Sequence, residues 1–127
     1  MILINFSHPI SEEQSTKLAE LLGRPVDRVV DVASRIELNV EEIAPQVDGM
    51  IESAGLSSVE WQTEQIVINP PALAPIAAVT LAKLHGLMGY FPSILRISPR
   101  PGVTPPVFDV AEIIDLQLIR QDGRSER

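Results

Sequence analysis

The chain has no cysteine, which excludes disulfides and thiolate metal sites. Aromatic residues are scarce, with one tryptophan, one tyrosine and three phenylalanines, so Trp61 and Tyr90 are expected to serve packing before any stacking on bases. No apolar run reaches the ~18 residues of a membrane span. Met1 to Asn5 lacks the basic region and cleavage site of a secretory signal, and with the missing cysteine this fits a cytoplasmic protein without a membrane partner. Basic residues are also few: the net charge of -7 argues against broad binding to duplex DNA or long RNA, which rests on many cationic phosphate contacts. GxGxxG, a Walker-type phosphate loop, HExxH and GxSxG are all absent. The two histidines, His8 and His85, have no Asp or Glu at ligand spacing, so neither a metal nor a cofactor is expected.

What remains is an apolar, acidic chain with an uneven charge distribution. A hydrophobic content of 45% over 127 residues suits one compact domain, residues 1–127, burying roughly two-thirds of the surface of its unfolded chain. Residues 1–64 hold twelve acids and four bases, whereas residues 65–108 hold no acid and only Lys83, Arg96 and Arg100. An acid-free segment in an acidic protein leaves room for a small anion. Equally, it is what a charge-poor core looks like.

The centre of the chain is Ile66-Val67-Ile68-Asn69-Pro70-Pro71. It reads as a buried β-branched strand, stopped by proline and followed by an apolar helix from about Pro75 to His85 or Met88, with Gly89 as its stop. Further strands are expected at 2–6, 28–33, 93–98 and 108–114. A helix begins at the capping box Ser11-Glu12-Glu13-Gln14, and another at about Asn39 runs to Gly55. Ser57 to Trp61 suits a short extra turn, Pro99 to Pro106 a stiff exposed loop, and Gly123 to Arg127 a frayed tail. Alternating strands and helices predict an α/β fold with a mostly parallel central sheet and helices on both faces.

In such a sheet ligands sit beyond the carboxyl ends of the strands. Asn5, Ser7 and His8 lie there on the first strand, Ser34 and Arg35 on the second, Asn69, Pro70 and Pro71 on the third, and Ser98 and Arg100 on the fourth. His8 is the candidate general base or hydrogen-bond donor to a phosphate, set against a turn histidine held by Pro9. Arg35 and Arg100 suit bidentate phosphate contact, set against surface ion pairs, and Arg96 lies within a strand with its direction open. Asn69 can meet an adenine edge or the helix start after Leu73, where no side chain caps the free N–H groups. His85, late in its helix, reads as structural.

Asn5-Phe6-Ser7-His8-Pro9, Glu60-Trp61-Gln62-Thr63, Val67-Ile68-Asn69-Pro70-Pro71 and Leu84-His85-Gly86-Leu87-Met88-Gly89-Tyr90-Phe91-Pro92, followed by the proline-rich loop, resemble the small type III CRISPR-associated accessory family "Csx fifteen". The likeness extends over most of the chain. It implies a Rossmann-like, CARF-like domain and a homodimer that holds a cyclic oligoadenylate, tetra-adenylate above all, in a pocket shared by two subunits. The signal would be damped by sequestration. Cleavage as a metal-independent ring nuclease, with His8 as the chemical group, is the alternative the resemblance implies. A different class, a protein-interaction module docking through Pro99 to Pro106, follows from the stiffness of that loop.

Overall fold

A computed structural model describes residues 1–33, 35–39 and 42–127. The elements in chain order are β1 (Ile2–Asn5), α1 (Glu12–Leu22), β2 (Arg28–Asp31), α2 (Ile43–Glu52), α3 (Ser58–Thr63), β3 (Ile66–Asn69), α4 (Ala74–Met88), β4 (Ser93–Pro99), β5 (Phe108–Asp115) and α5 (Leu116–Ser125). One five-stranded sheet has the order β2-β1-β3-β4-β5. Its first four strands are parallel and β5 runs antiparallel to β4. The mostly parallel α/β sheet expected from the pattern is present, and the arrangement is compatible with Rossmann-like folds.

β1 and β3 lie inside the sheet and are buried along their whole length, which is why both read as unbroken apolar runs rather than alternations. Ile2, Ile4, Ile66 and Ile68 turn to one face, where they meet Val47, Met50 and Ile51 of α2, Trp61 of α3 and Ile76, Leu84 and Met88 of α4. Leu3 and Val67 turn to the other face and pack with Leu18 of α1, Leu95 and Val110. A fully buried side chain such as Ile68 stabilises the fold by about 1.5–3 kcal/mol. Trp61 is a core residue, as its scarcity suggested, and the His85 ring packs at 4.3 Å from Phe91 at the end of α4.

Local signals set the helix boundaries. Ser11 Oγ accepts from the Gln14 N–H at 3.1 Å, Gln14 Oε1 accepts from the Ser11 N–H at 2.9 Å, and Gly23 closes α1 at φ 66°. A second capping box joins Ser57 and Glu60 at the start of α3, making a full short helix of what the sequence suggested as a single turn. The expected start at Asn39 is corrected: Leu38 and Asn39 form a turn, and α2 begins at Ile43 without a side-chain cap. Pro45 explains the shift, since proline is well tolerated only in a helix's first turn. Val40 and Glu41 lie outside the described residues. At the other end α5 continues through Ser125, so Gly123 to Ser125 close a helix rather than belonging to a tail.

Thr80 is the exception inside α4. Its side chain is fully buried and Oγ1 has no hydrogen-bond partner among the described residues. A buried hydroxyl without a partner carries an uncompensated desolvation cost. Thr80→Val keeps the shape and removes that group, so it is expected to stabilise the protein by about 1 kcal/mol, raising Tm by about 3 °C. A thermal melt showing no gain, or a loss, would contradict this account of the core.

Candidate functional site

In the strand order β2-β1-β3-β4-β5 the connections leave β1 and β3 in opposite directions, and this switch point opens a crevice beyond their carboxyl ends. Asn5 and Asn69 face each other there, in register at the ends of β1 and β3. Backbone pairing stops just past them, with Phe6 N–H donating to Asn69 O at 3.0 Å and Val32 N–H to Asn5 O at 2.9 Å.

The Asn5 side chain then folds the loop. Its Oδ1 accepts from the Ser7 N–H at 3.0 Å and from Asn69 Nδ2 at 2.9 Å, while its Nδ2 donates to His8 O at 2.8 Å and to Asp31 Oδ1 at 3.0 Å. Both N–H groups and both lone pairs are occupied, and the residue is 2% exposed. Asn5, expected to touch ligand, is instead the brace that ties three strands and the Ser7-His8 turn together. Asn69 spends one N–H on Asn5 and none of its bonds on the start of α4. Leu73 provides no side-chain cap there.

Two cavities flank the junction of the Ser7-His8 loop with the Pro71-Ala72 loop. The larger, about 720 Å³, opens towards β4 and is walled by Ser7, His8, Asn69, Pro70 and Pro71, with Leu95, Arg96 and Phe108 opposite. The smaller, about 390 Å³, opens towards β2 and the first turn of α4, between Ser7, His8, Ala33, Ile36, Leu73 and Ile76. Ser7, His8, Pro71 and Ala72 belong to both walls. A largely apolar cleft with a few polar groups at its rim is the usual form of a small-ligand site. A still larger hollow of about 890 Å³ lies between α1 and β5, but Glu12, Glu13, Glu20 and Asp109 line it against the single cation Lys17 and make it the poorer host for an anion.

The sheet edge brings together fewer of the expected residues than the pattern suggested. Ser7, His8, Asn69, Pro70 and Pro71 converge. Arg35 is exposed and lines neither cavity, and Ser34 lies outside the described residues. Ser98 and Arg100 are displaced because β4 overshoots its neighbour. The last β3–β4 pair is Ile68 with Ile94, so Leu95 is level with Asn69, and at ~3.3 Å per residue Ser98 and Arg100 lie about 10 and 16 Å beyond the edge.

Arg100 is also committed elsewhere. Its Nε and Nη2 donate to the two Asp109 oxygens at 2.9 and 2.8 Å, and its N–H donates to Val107 O at 2.7 Å. The same holds across the acid-free segment, where Lys83 pairs with Asp48 at 3.1 Å and Arg96 with Glu112 at 2.7 Å. Each of its three cations meets a carboxylate supplied from outside the segment, so its lack of acid does not amount to an unpaired positive field.

The Arg100 hydrogen bonds, more than its charge, hold the Asp109 carboxyl below the ordinary carboxylate range. A carboxyl depressed by folding contributes above its unfolded pKa and loses the contribution as pH falls through its folded value. The fork is therefore expected to be intact at neutral pH and to open in acid below the usual aspartate range. The Arg100 amide, which donates to Val107 O, should then lose protection against hydrogen exchange relative to the intrinsic rate at the same pH. Arg100→Ala should show that loss of protection already at pH 7; unchanged protection would show that the fork does not hold the hairpin.

Leu95 and Phe108 are wall residues that sequence reasoning missed, and Arg96, whose direction it left open, joins them. One signal for them existed: β3 has four residues, whereas β4 and β5 have seven and eight, so the last hairpin has to overhang the sheet as an arm.

Comparison with family models, curated proteins and solved structures finds no match. Among the described residues there is no group of three or more His, Asp or Glu side chains placed to hold a metal ion, and no helix is long and apolar enough to cross a membrane. The functional reading therefore rests on the switch-point cavities and on the sequence resemblance.

Proposed function

We propose that the chain binds a cyclic oligoadenylate, tetra-adenylate foremost, at the carboxyl edge of its sheet, and that it damps a type III CRISPR signal by holding the ring across a homodimer. The observation that carries this reading is the cavity of about 720 Å³ at the β1/β3 switch point, walled by Ser7, His8, Asn69, Pro70 and Pro71. Those residues lie in two of the segments on which the resemblance rests. In this reading the sheet is a CARF-like variant of the Rossmann-like arrangement, and two cavities brought together by a two-fold axis match a two-fold ring. The open first turn of α4 beside the smaller cavity favours an anion.

Holding is preferred to cutting. A ring nuclease without metal has to align a ribose hydroxyl in line with the next phosphate and stabilise the developing charge. His8 is exposed at the wall, but among the described residues no carboxylate hydrogen-bonds its ring, and Asp31, at the neighbouring strand end, is bonded to Asn5. Purified protein mixed with cyclic tetra-adenylate is expected to bind at micromolar concentration or tighter and to return the ring uncut, with or without chelator. No binding at micromolar protein rejects the proposal. Cleavage in chelator that is lost in His8→Ala, with binding kept, replaces sequestration by the ring-nuclease reading.

A further inference from the structure

The larger cavity has two unlike walls. One consists of the loops after β1 and β3, which supply backbone, proline, His8 and Asn69. The other is the overhanging β4–β5 arm, which supplies an arginine and an exposed aromatic ring. We infer that the arm reads the ligand: Arg96 takes a phosphodiester and Phe108 carries a base. This rests on the proposed oligoadenylate reading and assigns the contacts within it.

Three observations carry the inference. First, Arg96 is the one Lys or Arg among the residues walling either cavity, while Arg35 and Arg100 wall neither. Second, its guanidinium is engaged on one edge only. Nε donates to Glu112 Oε2 at 2.8 Å and Nη2 forms an ion pair with the same oxygen at 2.7 Å, so Nη1 and the outer N–H of Nη2 have no partner among the described residues. Glu112 is thus a positioning residue: it fixes the plane of the guanidinium and leaves a second donor pair for an anion, a geometry that lysine cannot reproduce. Third, Phe108 is 52% exposed at the cavity mouth, whereas Phe6 is 1% exposed. The Phe108 ring is half open to solvent beside the cavity and offers a flat π-face on which a base can stack.

The arm is anchored well enough to present these groups. Gln14 Nε2 donates to Phe108 O at 2.7 Å, tying the first residue of β5 to α1, and the Arg100–Asp109 fork closes the hairpin just beyond.

The test is titration of cyclic tetra-adenylate into the full chain at several salt concentrations. Arg96→Ala is expected to weaken binding about 10-fold or more and to reduce the salt slope by about one unit, the signature of one lost phosphate contact. Arg96→Lys should recover only part of the affinity. Phe108→Ala is expected to weaken binding about 10- to 100-fold with the salt slope unchanged, and Phe108→Trp to restore it, with its fluorescence quenched by the stacked base. Thermal melts of all four variants should stay close to that of the parent, because both side chains are about half exposed. If the parent binds and both alanine variants bind equally well with unchanged salt slopes, the arm does not read the ligand, while the broader proposal stands. If the parent itself does not bind, the broader proposal fails first.

Discussion

Asn5→Ala is expected to destabilise the protein by about 3 kcal/mol, near a 10 °C loss in Tm, although it removes only one small polar side chain. The size follows from what the side chain leaves behind. The Asp31 carboxylate is exposed and can rehydrate, but Asn69 is 7% exposed and its Nδ2 loses the only partner it has among the described residues. The Ser7 N–H loses the acceptor that turns the chain at the end of β1. A buried group deprived of its partner costs about 1–3 kcal/mol, more than the bond itself contributed. Asp31→Ala, which removes one exposed acceptor, should cost well under 1 kcal/mol and serves as the control. Asn5→Asp sets a second carboxylate beside Asp31 and should be less stable at pH 7 than at pH 4, where a protonated acid can donate one of the lost bonds. Urea unfolding that places Asn5→Ala within 1 kcal/mol of the parent would sink the view of Asn5 as the brace of the site.

The second large effect is expected on binding without an effect on folding. Ala72 is exposed and belongs to the wall of both cavities, so Ala72→Trp places an indole where the proposed ring would pass between them. Affinity for cyclic tetra-adenylate should fall by about 100-fold or more, or about 2.8 kcal/mol, because the indole occupies space the ligand needs, while Tm stays within about 1 °C because no core contact changes. Leu73→Ala is the matched control: Leu73 is 47% exposed and lines only the smaller cavity, so a moderate loss is expected. If Ala72→Trp binds like the parent in an assay where the parent binds, the ligand lies elsewhere on the molecule.

Much of this architecture was legible in the residues. Ile66 to Ile68 between polar flanks could only be an interior strand, and the sheet order places it in the middle. Ser11 with Gln14 marked the start of α1, the lack of a capping side chain at Leu73 was visible in the sequence, and His85 and Trp61 behave as packing residues. What was not legible depends on relations between distant segments. The role of Asn5 needs Asp31 and Asn69 beside it, and no spacing along the chain announces that. Arg100 looked like a phosphate ligand because local sequence cannot say how far one strand outruns its neighbour, nor that Asp109 waits across the hairpin. Arg96 was undecided for the same reason: only the pairing of β4 with β5 shows which acid it meets.

The overhang of β4 has a consequence for the behaviour of the protein in concentrated solution. Beyond Ile94 the β3-facing edge of β4 has no strand beside it, and an unpaired edge is a template on which another chain can nucleate aggregation. Arg96 sets a charge on that edge, a bulge opposite Arg96 and Ile97 twists the ladder, and Pro99 ends it. These are the devices by which natural sheets keep their edges from recruiting neighbours. The arginine proposed to meet the ligand thus also acts as a gatekeeper of solubility, and an apolar β-branched residue in its place would remove the edge charge and the proposed ligand contact at once.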